Sequence, residues 1–518
     1  MLMTQMLRFE HLGLGMKMKP FVSSMGISIR NITTMVLNVE KKTKRGRPAG
    51  EKGEKFKWTD EQSRILRAVS DGKSVFVTGS AGTGKTMLLK EIIKKLRKMH
   101  GKSRVYVTAS TGVAACALNG QTLHSFAGVG VVDRACLGSE VVLDGKGLRD
   151  FLLNKVISDR RALRRWENAK ALVIDEISMV DAELFENLEF LSREIRGEKD
   201  KVWGGLQVVG CGDFLQLPPI IHKDDAASGK EFAFEADCWD STFDEQAELF
   251  TVFRQADTRL VKMLQGIRRG KCDFADFQLI KGCYTDVEPE ESVVRLYPRN
   301  ADVNKVNEMR LSSLGKKRYV YHAVDTGKDP WRRQLMQGVT PTQLEIAEGA
   351  RVMLTKNLDV KQKLVNGAVG TVIGFKETNA TAVRKLGSND GLGLLPIVKF
   401  DSGRELVVDR ESWYVMEGDQ IRAQRIQIPL VLAWAMSIHK CQGMTLERLH
   451  TNLSKAFGYG MVYVALSRVT SLEGLHLSGF KLSKIKAHPK VLQFYESFGV
   501  RQEKELLTDN LQSLELET

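Results

Sequence analysis

The chain has 518 residues, 43% hydrophobic and 27% charged, an ordinary globular composition too long for one core, so two to four domains are expected. No apolar run approaches the roughly 18 residues of a membrane-spanning helix, and the seven cysteines, Cys116, Cys136, Cys211, Cys238, Cys272, Cys283 and Cys441, form no CxxC pair, which argues against a disulfide framework or zinc site and for a reducing compartment. The net charge of +14 fits a polyanionic partner such as DNA or RNA, although residues 1–57 hold twelve Lys or Arg against four Glu, a net +8, and leave +6 for the rest.

Residues 1–40 are Met-rich and poor in acids. They fit a mitochondrial transit segment, a disordered tail, or an over-extended start upstream of an internal Met such as Met35. Residues 41–57 have no apolar periodicity and read as a solvated basic linker. Within them Arg45-Gly46-Arg47-Pro48 resembles the core of an AT-hook, whose paired Arg fit a narrow minor groove; a nuclear-import signal or a plain basic linker is the preferred reading of the same residues. The compartment expected is therefore nucleus, mitochondrion or both.

Ordered sequence is expected from about Phe56. Trp58-Thr59-Asp60-Glu61-Gln62 offers Gln62 to an adenine edge, which would favour ATP; it also reads as a capping box with Thr59 as N-cap. Ser74–Thr78 is an apolar run of strand length. Gly79-Ser80-Ala81-Gly82-Thr83-Gly84-Lys85-Thr86 follows it and matches the P-loop pattern completely. There the glycines let backbone N–H groups converge on phosphate, and the helix N-terminus adds its positive end. Lys85 is expected on the β- and γ-phosphates and the Thr86 hydroxyl on Mg2+. The helix, Thr86–Met99, has apolar spacing through Met87, Leu88, Ile92, Ile93 and Leu96.

Further buried strands are expected at Arg104–Thr108, Ala171–Ile174 and Gln207–Cys211, with helices between them, which implies a parallel sheet covered on both faces. Leu172-Val173-Ile174-Asp175-Glu176 ends one strand in two acids. Asp175 suits Mg2+; Glu176 suits the general base, or a carboxylate beside a helix N-terminus. After the last strand comes Gly212-Asp213-Phe214-Leu215-Gln216-Leu217-Pro218-Pro219, where Gln216 is placed to sense a γ-phosphate or forms only a polar turn. Short β-rich runs, Arg351–Leu354, Gly370–Phe375, Pro396–Phe400 and Glu405–Val408, make 345–425 a small all-β insertion, punctuated by turns at Asn366-Gly367 and Asp401-Ser402-Gly403. Helix and strand alternate again from about Gln427 to Gly499.

Taken in order, these motifs resemble the PIF-type DNA helicases (petite integration frequency), a RecD-related branch of helicase superfamily one. The resemblance covers about 56–499. Besides the P-loop it rests on Thr108–Ala115 (TASTGVAA), Leu123–Gly128 (LHSFAG), Leu172–Met179 (LVIDEISM), Phe185–Pro219, Val252-Phe253-Arg254-Gln255, Gly349–Leu358 (GARVMLTKNL), Leu364-Val365-Asn366-Gly367, Ala433–Leu446 (AWAMSIHKCQGMTL) and Tyr463–Arg468 (YVALSR).

The resemblance implies an α/β fold of two RecA-like parallel-sheet domains in tandem: a basic tail over 1–55, a first ATPase domain over 56–245 with a wedge insertion at about 127–168, a second over 246–499 with an SH3-like insertion at about 345–425, and a tail over 500–518. It makes Arg254 and Arg468 arginine fingers reaching the γ-phosphate across the cleft, with surface ion pairing as the alternative. Thr108, Ser110, Thr111, His124 and Phe126 in the first domain, and His439, Lys440 and Gln442 in the second, become DNA contacts; for His124 and Phe126 a core role stands beside it. The implied activity is an ATP- and Mg2+-dependent 5′-to-3′ helicase acting on single-stranded and duplex DNA as a monomer, or a dimer on DNA, in replication, repair, recombination, telomere or mitochondrial DNA upkeep, G-quadruplexes included. An RNA or RNA–DNA hybrid unwinder and a non-catalytic DNA-binding scaffold are the alternatives.

Overall fold

The computed structural model describes residues 58–499 apart from 112–113, 116–117, 119, 131–144, 220–228, 286–292, 329–331, 333–340, 360–361, 363, 365–366, 378–392 and 418–419. The basic tail with its RGRP run, much of the expected wedge insertion, part of the TASTGVAA motif, Val365-Asn366 and the 500–518 tail lie outside the described residues.

Six strands, β1 (Val75–Gly79), β2 (Val105–Ala109), β3 (Gln121–Thr122), β4 (Ala171–Asp175), β5 (Gln207–Cys211) and β6 (Glu245–Leu249), form one parallel sheet in the order β3-β2-β4-β5-β1-β6. All five residues of β1 are buried, as a strand covered on both faces requires. The helix after β1 runs Lys85–His100 and buries Leu88, Leu89, Ile92, Ile93 and Leu96. Met87, expected on that face, is 53% exposed, and Leu89 takes the place. With β1 flanked by β5 and β6, the strand order reverses at its carboxyl end, where open α/β sheets bind ligands.

A second parallel sheet has the order β18-β7-β19-β20, from β7 (Val294–Tyr297), β18 (Ala435–Ser437), β19 (Leu449–Asn452) and β20 (Leu475–Gly479). Between β7 and β18 lies the all-β segment. It starts at Tyr319 rather than at 345. Strands β8 (Tyr319–His322) and β10 (Gln343–Ile346) pair together; β9 (Val324–Gly327) joins β15 (Glu411–Glu417) and β16 (Gln420–Gln427). A five-stranded antiparallel sheet comprises β11 (Arg351–Leu354), β12 (Val369–Glu377), β13 (Leu394–Phe400), β14 (Glu405–Val407) and β17 (Leu430–Leu432). The early strands β8, β9 and β10 are four residues each and alternate weakly, so their pattern is faint before their partners are known.

Three further boundaries differ from expectation. The division expected at 245/246 cuts β6, which pairs with β1 along its whole length and completes the first sheet. Residues 145–168, expected to hold a wedge, are two helices, Gly145–Ser158 and Arg160–Asn168. Their Leu148, Leu152, Val156, Ala162 and Trp166 are buried in the first lobe's core. The closing helix, 489–499, follows the second sheet in sequence but returns to the first lobe: Val491, Phe494 and Phe498 join that same core, with the Phe494 ring stacked 4.3 Å from Phe234.

Candidate active site where the two lobes meet

The P-loop leaves β1 with Gly79, Gly82 and Gly84 at φ 144°, 88° and 84°, a region where a Cβ is strained. Space matters as much as conformation. A Cβ on Gly79 would lie 2.6 Å from the Leu249 carbonyl, and one on Gly82 would lie 2.7 Å from Arg254 Cβ. Glycine at 82 thus permits an arginine beyond β6 to press against the phosphate loop.

Lys85 donates from Nζ to the carbonyls of Gly79 at 2.7 Å and Ser80 at 2.9 Å. Burial draws its pKa below the ordinary lysine value, against the pull of Asp213. Those carbonyls hold the ammonium where a phosphate would claim it. Thr86 is exposed at the loop's end.

Asp175 ends β4, one strand beyond β5. Burial, and then the Glu176 charge, push its carboxyl up to about 7. Glu176 is also shifted upward, by burial first. Two adjacent half-buried carboxylates, both shifted upward, are suited to a cation, so these donors, with the Thr86 hydroxyl, fit a divalent Mg2+ ion. Glu176 has φ 51°, a left-handed conformation that a non-glycine residue adopts at a cost of about 1–3 kcal/mol, and it aims its carboxylate at the second lobe.

Gln216 is buried and donates to Asp213 Oδ2 at 3.2 Å. Asp213 is fully buried and paired with Arg268 at 2.8 Å, and Arg268 also reaches Glu248 at 3.0 Å. Burial alone would raise the Asp213 pKa, but Arg268 and Lys85 outweigh it and hold the group below its ordinary value. Gln62 is buried, its Nε2 3.5 Å from where a Cβ on Gly84 would sit.

The second lobe brings the guanidiniums. Arg254 donates from Nη1 to the Ser467 carbonyl at 2.9 Å. Arg468 is 1% exposed, held by Val464 O and Ser467 Oγ, each at 2.8 Å, and its charge favours the ionised form of Glu176. Arg254 is half-buried against Gly82 and Arg468 is buried, each held by oxygens of its own lobe rather than in a surface ion pair. Tyr463, five residues before Arg468, accepts the Ala81 N–H at 2.7 Å, and Gln255 donates to the carbonyls of Ser467 and Val469 at 3.2 and 2.9 Å.

The expected strand contacts divide. Thr108 is fully buried and donates to the Val173 carbonyl at 2.7 Å, so its hydroxyl ties β2 to β4 and is not offered to a phosphate. Phe126 is fully buried against Tyr106 and Trp166, at 5.0 and 4.8 Å; its ring is core, not a stacking face. His124 is half-buried, with burial lowering its pKa. Ser110 and Thr111 are half-buried at the carboxyl end of β2; the Ser110 Oγ has no partner, and Thr111 Oγ1 accepts from Ala114 N at 3.2 Å. In the other lobe His439 is half-buried and Lys440 exposed. Gln442 instead donates to Glu176 Oε2 at 2.9 Å.

Sequence reading gave no role to Tyr463, Gln255, Arg268 or Phe253. Phe253 is 54% exposed, and its ring lies 3.6 Å from a Cβ built on Gly84, beside Gln62; a bare ring there suits stacking on a purine. Its position next to Arg254 was the available signal.

Residues 57–277 match the family model described as PIF1-like helicase, and 334–375 the model of the DNA helicase Pif1 2B domain. The chain is 41% identical over 440 residues to the ATP-dependent DNA helicase PIF1 of Xenopus laevis and 39% identical over 440 residues to that of Homo sapiens. Each alignment takes in 84% of this chain and 63% of the relative, so the chain spans under two thirds of the length of these curated relatives. Among solved structures, the Pif1 helicase of Candida albicans superposes with a TM-score of 0.75 at 37% identity, over 86% of this chain and all of that one. Bacteroides Pif1 in complex with ADP-AlF3 and ssDNA superposes with a TM-score of 0.67 at 27% identity, over 86% and 98%.

Proposed function

The chain belongs to the PIF1-like helicase family, and from that premise we propose that it is an ATP-dependent DNA helicase that tracks along single-stranded DNA in the 5′-to-3′ direction and opens duplex or folded DNA. The observation that carries the reading is the convergence of both lobes on one cleft: Tyr463 on Ala81 at 2.7 Å, Arg254 against Gly82, and Gln442 on Glu176 at 2.9 Å. A cleft closed by a triphosphate and released by hydrolysis gives the alternating domain motion that translocation needs.

The P-loop N–H groups and Lys85 bind the β- and γ-phosphates, and Gln62 with Phe253 holds the base. Glu176 takes a proton from the attacking water. Arg254 and Arg468 stabilise charge on the γ-phosphate, a contribution of about 10³–10⁵ in rate for such groups. Mg2+, when bound, neutralises phosphate charge, and Thr86 and Asp175 are the residues that would hold it. Ser110, Thr111, His439 and Lys440 are offered to the strand; contacts to phosphates carry no base information, so tracking is independent of sequence.

Family resemblance supports the polarity, activity on G-quadruplexes, and a role in nuclear or mitochondrial genome maintenance. The deciding experiment is ATP hydrolysis with and without single-stranded DNA. Stimulation is expected, and Lys85→Ala abolishes hydrolysis while retaining DNA binding; no hydrolysis by the wild type, with or without DNA, would favour a non-catalytic scaffold. Unwinding of substrates with a single-strand tail at either the 5′ or the 3′ end tests direction, and the 5′ tail is expected to be required.

A further inference from the structure

The two ends of the Gln442 amide have different fates. Its Nε2 donates across the lobes to Glu176 Oε2 at 2.9 Å. Its Oε1 is buried and has no hydrogen-bond partner. A buried acceptor left unpaired is unfavourable, and native proteins seldom keep one without use. The group beside it, the Glu176 carboxylate, also only accepts when ionised. A molecule bridging the two must bring two O–H donors, and water is the smallest that does.

Gln442 also sits on a loop with three attachments. Residues Ile438–Cys441 form a single helical turn directly before it, which carries His439 and Lys440. Beyond it, Leu446 N donates to the Arg468 carbonyl at 2.9 Å, and the Met444 carbonyl accepts from Arg468 Nη1 at 3.5 Å. One short segment therefore joins the side chains offered to the strand, an arginine finger, and the carboxylate at the end of β4.

We propose that Gln442 is a positioning residue for hydrolysis: with Glu176 it holds the attacking water, from a segment that also carries His439 and Lys440. The proposal rests on the ATP-hydrolysing reading above. In the step, the water donates one O–H to Glu176 and the other to Gln442 Oε1, and its oxygen lone pair attacks the γ-phosphorus. The bond from that phosphorus to the β–γ bridging oxygen breaks, ADP leaves with the electron pair, and the water's proton passes to Glu176. This departs from the expectation that Gln442 touches the strand.

The test measures DNA-stimulated ATP hydrolysis and, without nucleotide, the affinity for a labelled single-stranded oligonucleotide. Gln442→Ala is expected to lower kcat by about 10²-fold, the cost of a misplaced reactant, with KM for ATP and DNA affinity within about threefold of wild type. Gln442→Met, which keeps length and packing but has no amide, is expected to lose kcat equally. In a Glu176→Gln background, Gln442→Ala is expected to add less than about twofold, because residues acting as a unit are not additive. Loss of DNA affinity in step with kcat, recovery of kcat by Gln442→Met, or full additivity with Glu176→Gln would each overturn the proposal. Normal hydrolysis by Gln442→Ala would sink this inference alone, whereas a wild-type chain with no hydrolysis would sink the functional reading and this inference with it.

Discussion

Arg254 and Arg468 are tied through one peptide unit: Arg254 Nη1 donates at 2.9 Å to the carbonyl of Ser467, the residue directly before Arg468. Burial, and then the Arg468 charge, draw the Arg254 guanidinium down to about 10. Two cations held this close repel each other, and the negative charge of a triphosphate brought to them relieves that repulsion. The pair is thus arranged for a ligand that completes it.

Either Arg254→Ala or Arg468→Ala is expected to lower DNA-stimulated kcat by about 10³-fold, with fluorescent-nucleotide affinity changing by less than about tenfold. Arg→Lys at either position is expected to rescue little, since ammonium lacks the planar fork. An affinity loss as large as the kcat loss would show that the arginines bind substrate without favouring its transition state.

Phe253 gives a contrasting signature. A base stacked on a ring contributes about 1–3 kcal/mol, and this interaction is the same in ground and transition states. Phe253→Ala is therefore expected to raise KM for ATP about tenfold with kcat nearly unchanged, and to relax discrimination against pyrimidine triphosphates. Steady-state kinetics with ATP and CTP check it.

Arg268 holds two acids, Asp213 and Glu248, in a buried cluster. Removing one partner of such a pair costs about 3–5 kcal/mol because the other charges stay buried, so Arg268→Leu should shift the denaturant midpoint markedly. The sign with pH follows from Asp213, whose folded pKa lies below its ordinary 3.8. Its stabilisation is complete above that ordinary value and is lost as pH falls through the lower, folded one. The gap between wild type and Arg268→Leu should be widest near neutral pH and narrow on acidification below about pH 4.

Asp175 shows the opposite balance. Its carboxyl is buried beside Glu176, an arrangement suited to a cation and unfavourable without one. Asp175→Asn is expected to abolish hydrolysis yet raise the nucleotide-free thermal midpoint, by about 0.5–2 kcal/mol in stability. Calorimetry with and without Mg-ATP should show the variant ahead in its absence and the wild type catching up in its presence.

Tyr495, on the returning helix, places its hydroxyl 2.5 Å from Thr78 Oγ1 and accepts the Phe214 N–H at 3.3 Å, just beneath the P-loop and the Gln216 turn. Tyr495→Phe leaves those buried groups short of a partner, a cost of about 1–3 kcal/mol. Denaturant melts should register it, and hydrolysis should fall at temperatures where the wild type is unaffected.

The phosphate loop, the acidic end of β4 and the four buried strands around them were legible from sequence because each is local. A glycine-rich turn between an apolar run and a helix needs no distant partner to be recognised, and Gln207–Cys211 was bounded to the residue. Arg254 and Arg468 were proposed as fingers from motif order, since nothing local separates either from a surface arginine.

Tertiary structure decided what depended on who stands opposite. Thr108 and Phe126 have side chains that suit DNA, but the sheet claims the first and Trp166 the second, because burial is a property of neighbours distant in the chain. The same reason hid which lobe the helix 489–499 joins, its phenylalanines filling the core of the lobe from which they lie farthest in sequence, and it placed Gln442 on Glu176, 266 residues away. Sequence could name the chemistry available; only packing could say which groups would face one another.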